Sequence, residues 1–285
     1  MKFHSLLALF ASVLVFAACD SKMDDGAASG DTTATLDTST AATGVELTVY
    51  AAASLRESLD ELGKAFEGQT GNKVTYNFAG SNELAKQIVA APGAADVFLS
   101  AAENWMDTVE GAKRVVAGSR ANLLSNSLVV VASTASDFTM SDPCGLAKLE
   151  IKNLALADPE AVPAGKYSKK WMSGVMCDGK SLWDALKDKV APSPDVRAAL
   201  GLVLADPKIA GIVYRTDQLA FADKTKVLFE VKDGPPIRYV VAQLNEGKGG
   251  ESGAAFAKYL SSPEARAVFE KHGFTFTNEM ANGKP

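Results

Sequence analysis

Where the folded part of the chain begins, apolar and polar positions alternate and then change period. Leu47, Val49 and Ala51 alternate with Glu46, Thr48 and Tyr50, which predicts a strand with one buried face. From Leu55 the spacing becomes helical, with Leu55, Leu59, Leu62 and Phe66 on one side. The change is made through Ala51-Ala52-Ala53-Ser54, with no room for a loop and one hydroxyl at the seam.

The same alternation continues along the chain. Residues 73–78 and 95–100 read as strands. Helices are expected from near Ser54, near Ser81 and from Ala102, the last with Trp105 and Met106 on its apolar face. Residues 127–133 are continuously apolar, the pattern of a strand buried on both faces. A second set follows: a strand at 154–158, helices from about Ala164, Lys180 and Asp195, and a strand at 210–214. Strands at 226–231 and 237–244 precede a helical end at 250–272. Repeated β-α units predict an α/β fold of two lobes, each a mainly parallel sheet flanked by helices. Crossings are expected near Ser127 and Tyr239, with a ligand cleft between lobes. The expected boundaries are 46–125 plus 240–285 for lobe 1 and 126–239 for lobe 2.

The N-terminus reads as a targeting segment. Lys2 precedes an apolar run from Leu6 to Ala18, too short for a permanent membrane span, so residues 1–18 are expected to be a signal peptide. The run ends in Phe16-Ala17-Ala18-Cys19, which resembles a bacterial lipobox, although Phe16 stands where that pattern prefers Leu. The resemblance implies that Cys19 is lipidated; ordinary signal cleavage beside an incidental cysteine is the alternative. Residues 20–44 carry almost no large apolar side chains and cannot fold alone. A tether of about 25 residues would span roughly 25–30 Å, useful behind an anchor and of no evident use after a soluble signal.

Composition narrows the functions. The chain has 285 residues, 47% hydrophobic, enough for one large domain or two moderate lobes. Its net charge of −5, without a Lys/Arg cluster, excludes nucleic acid as an expected partner. Two histidines and three cysteines exclude a His-rich metal site, and no cofactor is called for.

The candidate chemistry sits at helix starts, where open α/β sheets bind ligands. Ser54 and Glu57 fit the S-x-x-E capping box. Phe78-Ala79-Gly80-Ser81 again runs from strand to serine, residues 158–165 bring a strand to a helix start free of bulky side chains, and Pro192-Ser193-Pro194-Asp195 opens another helix. Taken singly, Ser54, Ser81 and Asp195 are good N-caps in any protein. Taken together, free N–H groups and hydroxyls among small residues suit an anion held without a cationic side chain.

These stretches resemble the molybdate-binding proteins of bacterial ABC transporters. The likeness is carried by VYAAASL, FAGSNELAKQI, ADVFLSA with WMD following, NSLVVVA, DPEAVPAGKY, PDVR, GIVY and HGFTF, in order from about Val45 to Phe276. It implies a two-lobed periplasmic-binding-protein fold that holds a tetrahedral oxyanion, molybdate or tungstate, and delivers it to an ABC permease. By position it implies Ser54 and Ser81 as serine donors, Ala164 and Val196 as backbone N–H donors, and Tyr214 as a phenol donor. Without the resemblance, Tyr214 reads as a core aromatic at a strand end. A monomer is expected, in the periplasm or cell envelope, lipid-anchored to the inner membrane. The segment between Tyr167 and Leu186, longer than the family pattern, and the lipobox with its tether depart from that pattern without touching the ligand positions.

Other readings remain to be weighed. Sulfate or another tetrahedral oxyanion is the rival ligand. Gly174 to Ser181 matches G-x-x-x-x-G-K-S, but a helix rather than a strand precedes it and Asp178 would repel phosphates, so the match reads as chance. A serine hydrolase using Ser54 and His272 lacks the glycines of a nucleophile elbow, and His272 sits at a helix end suited to capping. No enzyme activity is expected. With Cys19 lipidated, Cys144 and Cys177 are the pair left in an oxidising compartment and are expected to form a disulfide.

Overall fold

The computed structural model describes residues 44–277. The expected leader, the lipid-acceptor Cys19 and the tether up to residue 43 lie outside the described residues, as do residues 278–285.

The chain opens with strand β1 (Glu46–Ala52), a 3-10 turn (Ala53–Leu55) and helix α1 (Arg56–Thr70). Then come β2 (Lys73–Ala79), α2 (Ser81–Ala90), β3 (Val97–Ser100), α3 (Glu103–Gly111) and β4 (Ala121–Asn126). Past Ser127 the chain enters a second sheet with β5 (Leu128–Ser133), then α4 (Gly145–Lys148), β6 (Asn153–Ala157) and α5 (Pro163–Gly174). A hairpin of β7 (Met176–Cys177) and β8 (Lys180–Ser181) leads to α6 (Leu182–Leu186) and β9 (Val190–Ser193). The second lobe is completed by α7 (Val196–Ala205), β10 (Ile209–Tyr214), α8 (Arg215–Leu219) and β11 (Thr225–Glu230). The chain returns with β12 (Ile237–Gln243), α9 (Gly250–Tyr259), α10 (Pro263–Lys271) and β13 (Thr275–Phe276).

Two open, mixed sheets result, in the orders β13-β4-β12-β3-β1-β2 and β11-β5-β10-β6-β9. β1 runs parallel to β2 and β3, and β6 runs parallel to β9 and β10. The antiparallel members lie where the chain changes lobe: β12 pairs with β3 and β4, and β5 with β10 and β11. The β4–β5 and β11–β12 connections are therefore the two crossings. β5 and β10 are buried along their whole length, consistent with their unbroken apolar runs. The first sheet is covered on one face by α1 and α9, with Leu59, Phe66 and Phe256 in the core. On the other face α2 and α3 supply Leu84, Ile88, Met106 and Val109.

Local departures from the sequence reading have physical causes. The helical end is two helices, because Pro263 lacks the N–H needed to continue a helix while Ser262 Oγ caps the new one, accepting from the Ala265 N–H at 3.1 Å. Lys180 lies in the hairpin and not at a helix start. Asp178 and Gly179 form its turn with φ of 49° and 83°, and Ser181 caps the short α6. The G-x-x-x-x-G-K-S stretch is thus a hairpin, and Cys177 within it is bonded to Cys144, Cα–Cα 5.6 Å. Short strands β4 and β9 escaped the periodicity, since polar or proline-containing runs of four to six residues carry little of it.

Candidate functional site

Strand ends from both sheets converge on one pocket with about 220 Å³ of space not filled by atoms, part of it open toward solvent. The first lobe contributes Ala52, Ala53 and Ser54 after β1, Ala79, Gly80 and Ser81 after β2, and Ala101 after β3. The second contributes Val162, Pro163 and Ala164 at the start of α5, Asp195 and Val196 at the start of α7, and Tyr214 at the end of β10. All five residues singled out in the sequence, Ser54, Ser81, Ala164, Val196 and Tyr214, line it.

The lining is mostly small and apolar, and its donors are hydroxyls and backbone N–H groups with no cationic side chain among them. Ser81 opens α2, and its Oγ accepts the Ala101 N–H at 3.0 Å. The hydroxyl hydrogen is left over. Ala164 and Val196 stand in first turns, where N–H groups have no intrahelical partner. Asp195 does cap α7, as its sequence position suggested. Its Oδ1 accepts from Arg197 and Ala198 at 2.8 and 2.9 Å, which leaves the Val196 N–H unconsumed by the cap. Close approach of α5 to β6 requires Gly165, whose added Cβ would sit 2.1 Å from the Ala157 carbonyl oxygen. Tyr214 is 1% exposed, and its hydroxyl has no hydrogen-bond partner among the described residues. Burial pushes its pKa well above the ordinary phenol value, so it remains a donor.

The expected capping box at Ser54 and Glu57 does not form. Ser54 lies inside the 3-10 turn, with its Oγ 2.8 Å from the Tyr239 hydroxyl. Glu57 reaches across the cleft to Arg197, Oε1 accepting from Nη1 at 2.9 Å and Oε2 from Nη2. Arg197 Nε also lies 2.5 Å from Oδ1 of the fully buried Asp217 on α8. Burial works against the guanidinium charge, but the two carboxylates outweigh it and hold Arg197 above its ordinary value. Burial pushes Asp217 up to about 6 against the pull of Arg197. This triad, invisible to sequence spacing because its members are 20 to 160 positions apart, ties the lobes together beside the pocket. A second tie is the Trp105 indole N–H, which donates to the Ala161 carbonyl at 3.1 Å.

The hydrolase geometry is not assembled. His272 Nε2 lies 2.9 Å from Glu61 Oε2, and Ser54 is held by Tyr239. Among the described residues no group of three His, Cys, Asp or Glu could hold a metal ion.

Two open sheets joined by two crossings, with a donor-lined pocket between them, define a bilobed solute-binding protein. The chain belongs to the bacterial extracellular solute-binding protein family, which it matches over residues 47–275. It is 39% identical over 236 residues to the molybdate-binding protein ModA of Escherichia coli K12, covering 81% of this chain and 89% of that protein. It is 35% identical over 234 residues to a putative ABC transporter substrate-binding lipoprotein, YvgL, of Bacillus subtilis 168, covering 81% and 86%. Among solved structures, the substrate-binding domain of a putative molybdenum ABC transporter from Clostridium difficile is 29% identical with a TM-score of 0.62, covering 82% of this chain and all of that one.

Proposed function

We propose that this protein binds a tetrahedral oxyanion, molybdate and its near-isostere tungstate, outside the inner membrane and delivers it to an ABC permease. The observation that carries the reading is the pocket itself: two hydroxylated helix starts, two free first-turn N–H groups and an unpartnered buried phenol meet without a cationic side chain. Charge-assisted hydrogen bonds contribute roughly 1.5–3 kcal/mol each, so several of them offset the lost hydration of a dianion. The names borne by the Escherichia coli and Clostridium difficile relatives favour molybdate over other oxyanions. Donors come from both lobes, Ser54 and Ser81 from the first and Ala164, Val196 and Tyr214 from the second. Ligand therefore favours the closed form, which the permease reads. Titration calorimetry with molybdate, tungstate, sulfate and phosphate tests it. Molybdate and tungstate are expected to bind alike and well ahead of the other two, and preference for sulfate would reassign the cargo.

The protein acts as a monomer tethered by lipid at Cys19, with residues 20–44 as the leash. The lipobox-like FAAC supports this, as does the word lipoprotein in the name of the Bacillus subtilis relative. Asp20 resembles an inner-membrane retention signal, which would keep the binder near its permease. Cell fractionation of Cys19→Ser is the test, and a variant that stays with the membrane as wild type does would remove the anchor from Cys19.

A further inference from the structure

Ser54 Oγ and the Tyr239 hydroxyl, 2.8 Å apart, can each donate to the other. The groups behind them decide which does. The Asn126 amide is oriented by the backbone: its Oδ1 lies 2.9 Å from the Ser127 N–H, which can only donate. Nδ2 is thus the other end, with two hydrogens and no acceptor capacity. It lies 3.0 Å from Thr216 Oγ1 and 3.2 Å from the Tyr239 hydroxyl. Tyr239 therefore accepts from Asn126. It is fully enclosed, and burial pushes its pKa well up, so its one proton stays on. That proton goes to Ser54. The Ser54 oxygen accepts at its back, and its own hydrogen is turned toward the pocket.

Two comparisons within the chain give this arrangement a purpose. Serines in helices commonly donate to a carbonyl of the preceding turn. Ser58 does so to Leu55 at 2.9 Å and Ser168 to Ala164 at 2.7 Å. A serine so occupied offers a ligand only lone pairs. Ser81 avoids this by accepting the Ala101 N–H, and Ser54 has no backbone N–H behind it and has Tyr239 instead. Tyr239 and Asn126 belong to β12 and β4, the strands at the two crossings, and Thr216 belongs to the second lobe.

We propose that Asn126 and Tyr239 are positioning residues that donate in series to the back of Ser54 and so fix its hydroxyl as a donor to the bound oxyanion. The proposal rests on the anion-binding reading. Removing the Tyr239 hydroxyl frees Ser54 to turn to a backbone carbonyl. The ligand then loses one donor, without any atom that touches it having been removed.

A double-mutant cycle with molybdate, read by titration calorimetry on the purified protein, tests this. Tyr239→Phe should weaken binding about three- to tenfold, the worth of one neutral hydrogen bond. In the Ser54→Ala background it should have no further effect, and in the Ser81→Ala background its effect should return in full. A merely structural tyrosine would weaken all three backgrounds alike. Equal losses with and without Ser54, or no loss in the wild type, overturn the relay while leaving anion binding intact. Failure of the wild type to bind molybdate, tungstate or sulfate overturns both readings. If Tyr239→Phe lowers the melting temperature of ligand-free protein, Asn126→Ala, which keeps the tyrosine ring, reads the same coupling to Ser54.

Discussion

Gly80 of the first lobe faces the Pro194 carbonyl of the second so closely that an added Cβ would lie 2.7 Å from that oxygen. The turn that presents Ser81 thus sits directly on the turn that presents Val196. Gly80 has φ of −62°, which any residue adopts. Within its own lobe the Cβ would meet the end of the Asn82 side chain, Oδ1 at 2.6 Å, which can turn aside, so the clash with backbone is the one across the cleft. Gly80→Val should weaken molybdate binding tenfold or more while the ligand-free melting temperature changes little. Small-angle scattering should record a larger radius for the variant in saturating ligand. Unchanged affinity would mean that closure does not bring these turns together.

Arg197 is held by one carboxylate from each lobe, and the two should separate in their effects. Glu57→Gln removes the cross-lobe partner and should lower affinity with a small loss of stability. Arg197→Met strands Asp217, whose side chain is 0% exposed, and breaking a buried pair this way costs about 3–5 kcal/mol. Denaturant unfolding beside calorimetry distinguishes them; equal stability losses would contradict the assigned roles.

Asp217 should leave a pH signature. Its folded-state pKa is raised from the ordinary 3.8 to about 6 by burial, so the folded protein holds that proton more tightly than the unfolded chain. The contribution to stability is greatest below about pH 4 and declines as pH rises to about 6. Relative to Asp217→Asn, the wild type should therefore lose stability over that window. A stability difference that is flat, or that grows in favour of the wild type, would contradict the raised value.

Sequence reading reached the pocket-lining residues more readily than their supports. Ser54 and Ser81 stand at strand-to-helix junctions, which local patterning marks, whereas Ala164, Val196 and Tyr214 are implied only by the family resemblance. The supports carry no such mark: Tyr239 reads as one more apolar strand residue, and Asn126 as a polar residue ahead of the apolar run at 127–133. Spacing suggests only local partners and so places Glu57 in the cap of its own helix, whereas the fold offers it a guanidinium from the other lobe. The break at Pro263 was legible in principle, since Ser-Pro is a helix-start signal, but the apolar period continues across it.

The Cys144–Cys177 bond closes a loop of 33 positions around α4, β6 and α5, all in the second lobe. In the chain-entropy model such a loop contributes roughly 3–4 kcal/mol. Cys144→Ser/Cys177→Ser should unfold at lower denaturant by about that amount, with molybdate affinity nearly unchanged because neither cysteine lines the pocket. A large loss of affinity without loss of stability would place the hairpin in ligand binding.

In the proposed site, neutral donors at the helix starts hold the anion. The most direct measurement is the molybdate affinity of Ser54→Ala, Ser81→Ala, their combination, and Lys180→Ala as the exposed cation of the G-x-x-x-x-G-K-S hairpin. Each serine change should weaken binding about tenfold or more, at roughly 1.5–3 kcal/mol per charge-assisted bond. The combination should weaken it further, and Lys180→Ala should leave it unchanged. Affinity that survives the loss of both serines but falls with Lys180→Ala would contradict the site.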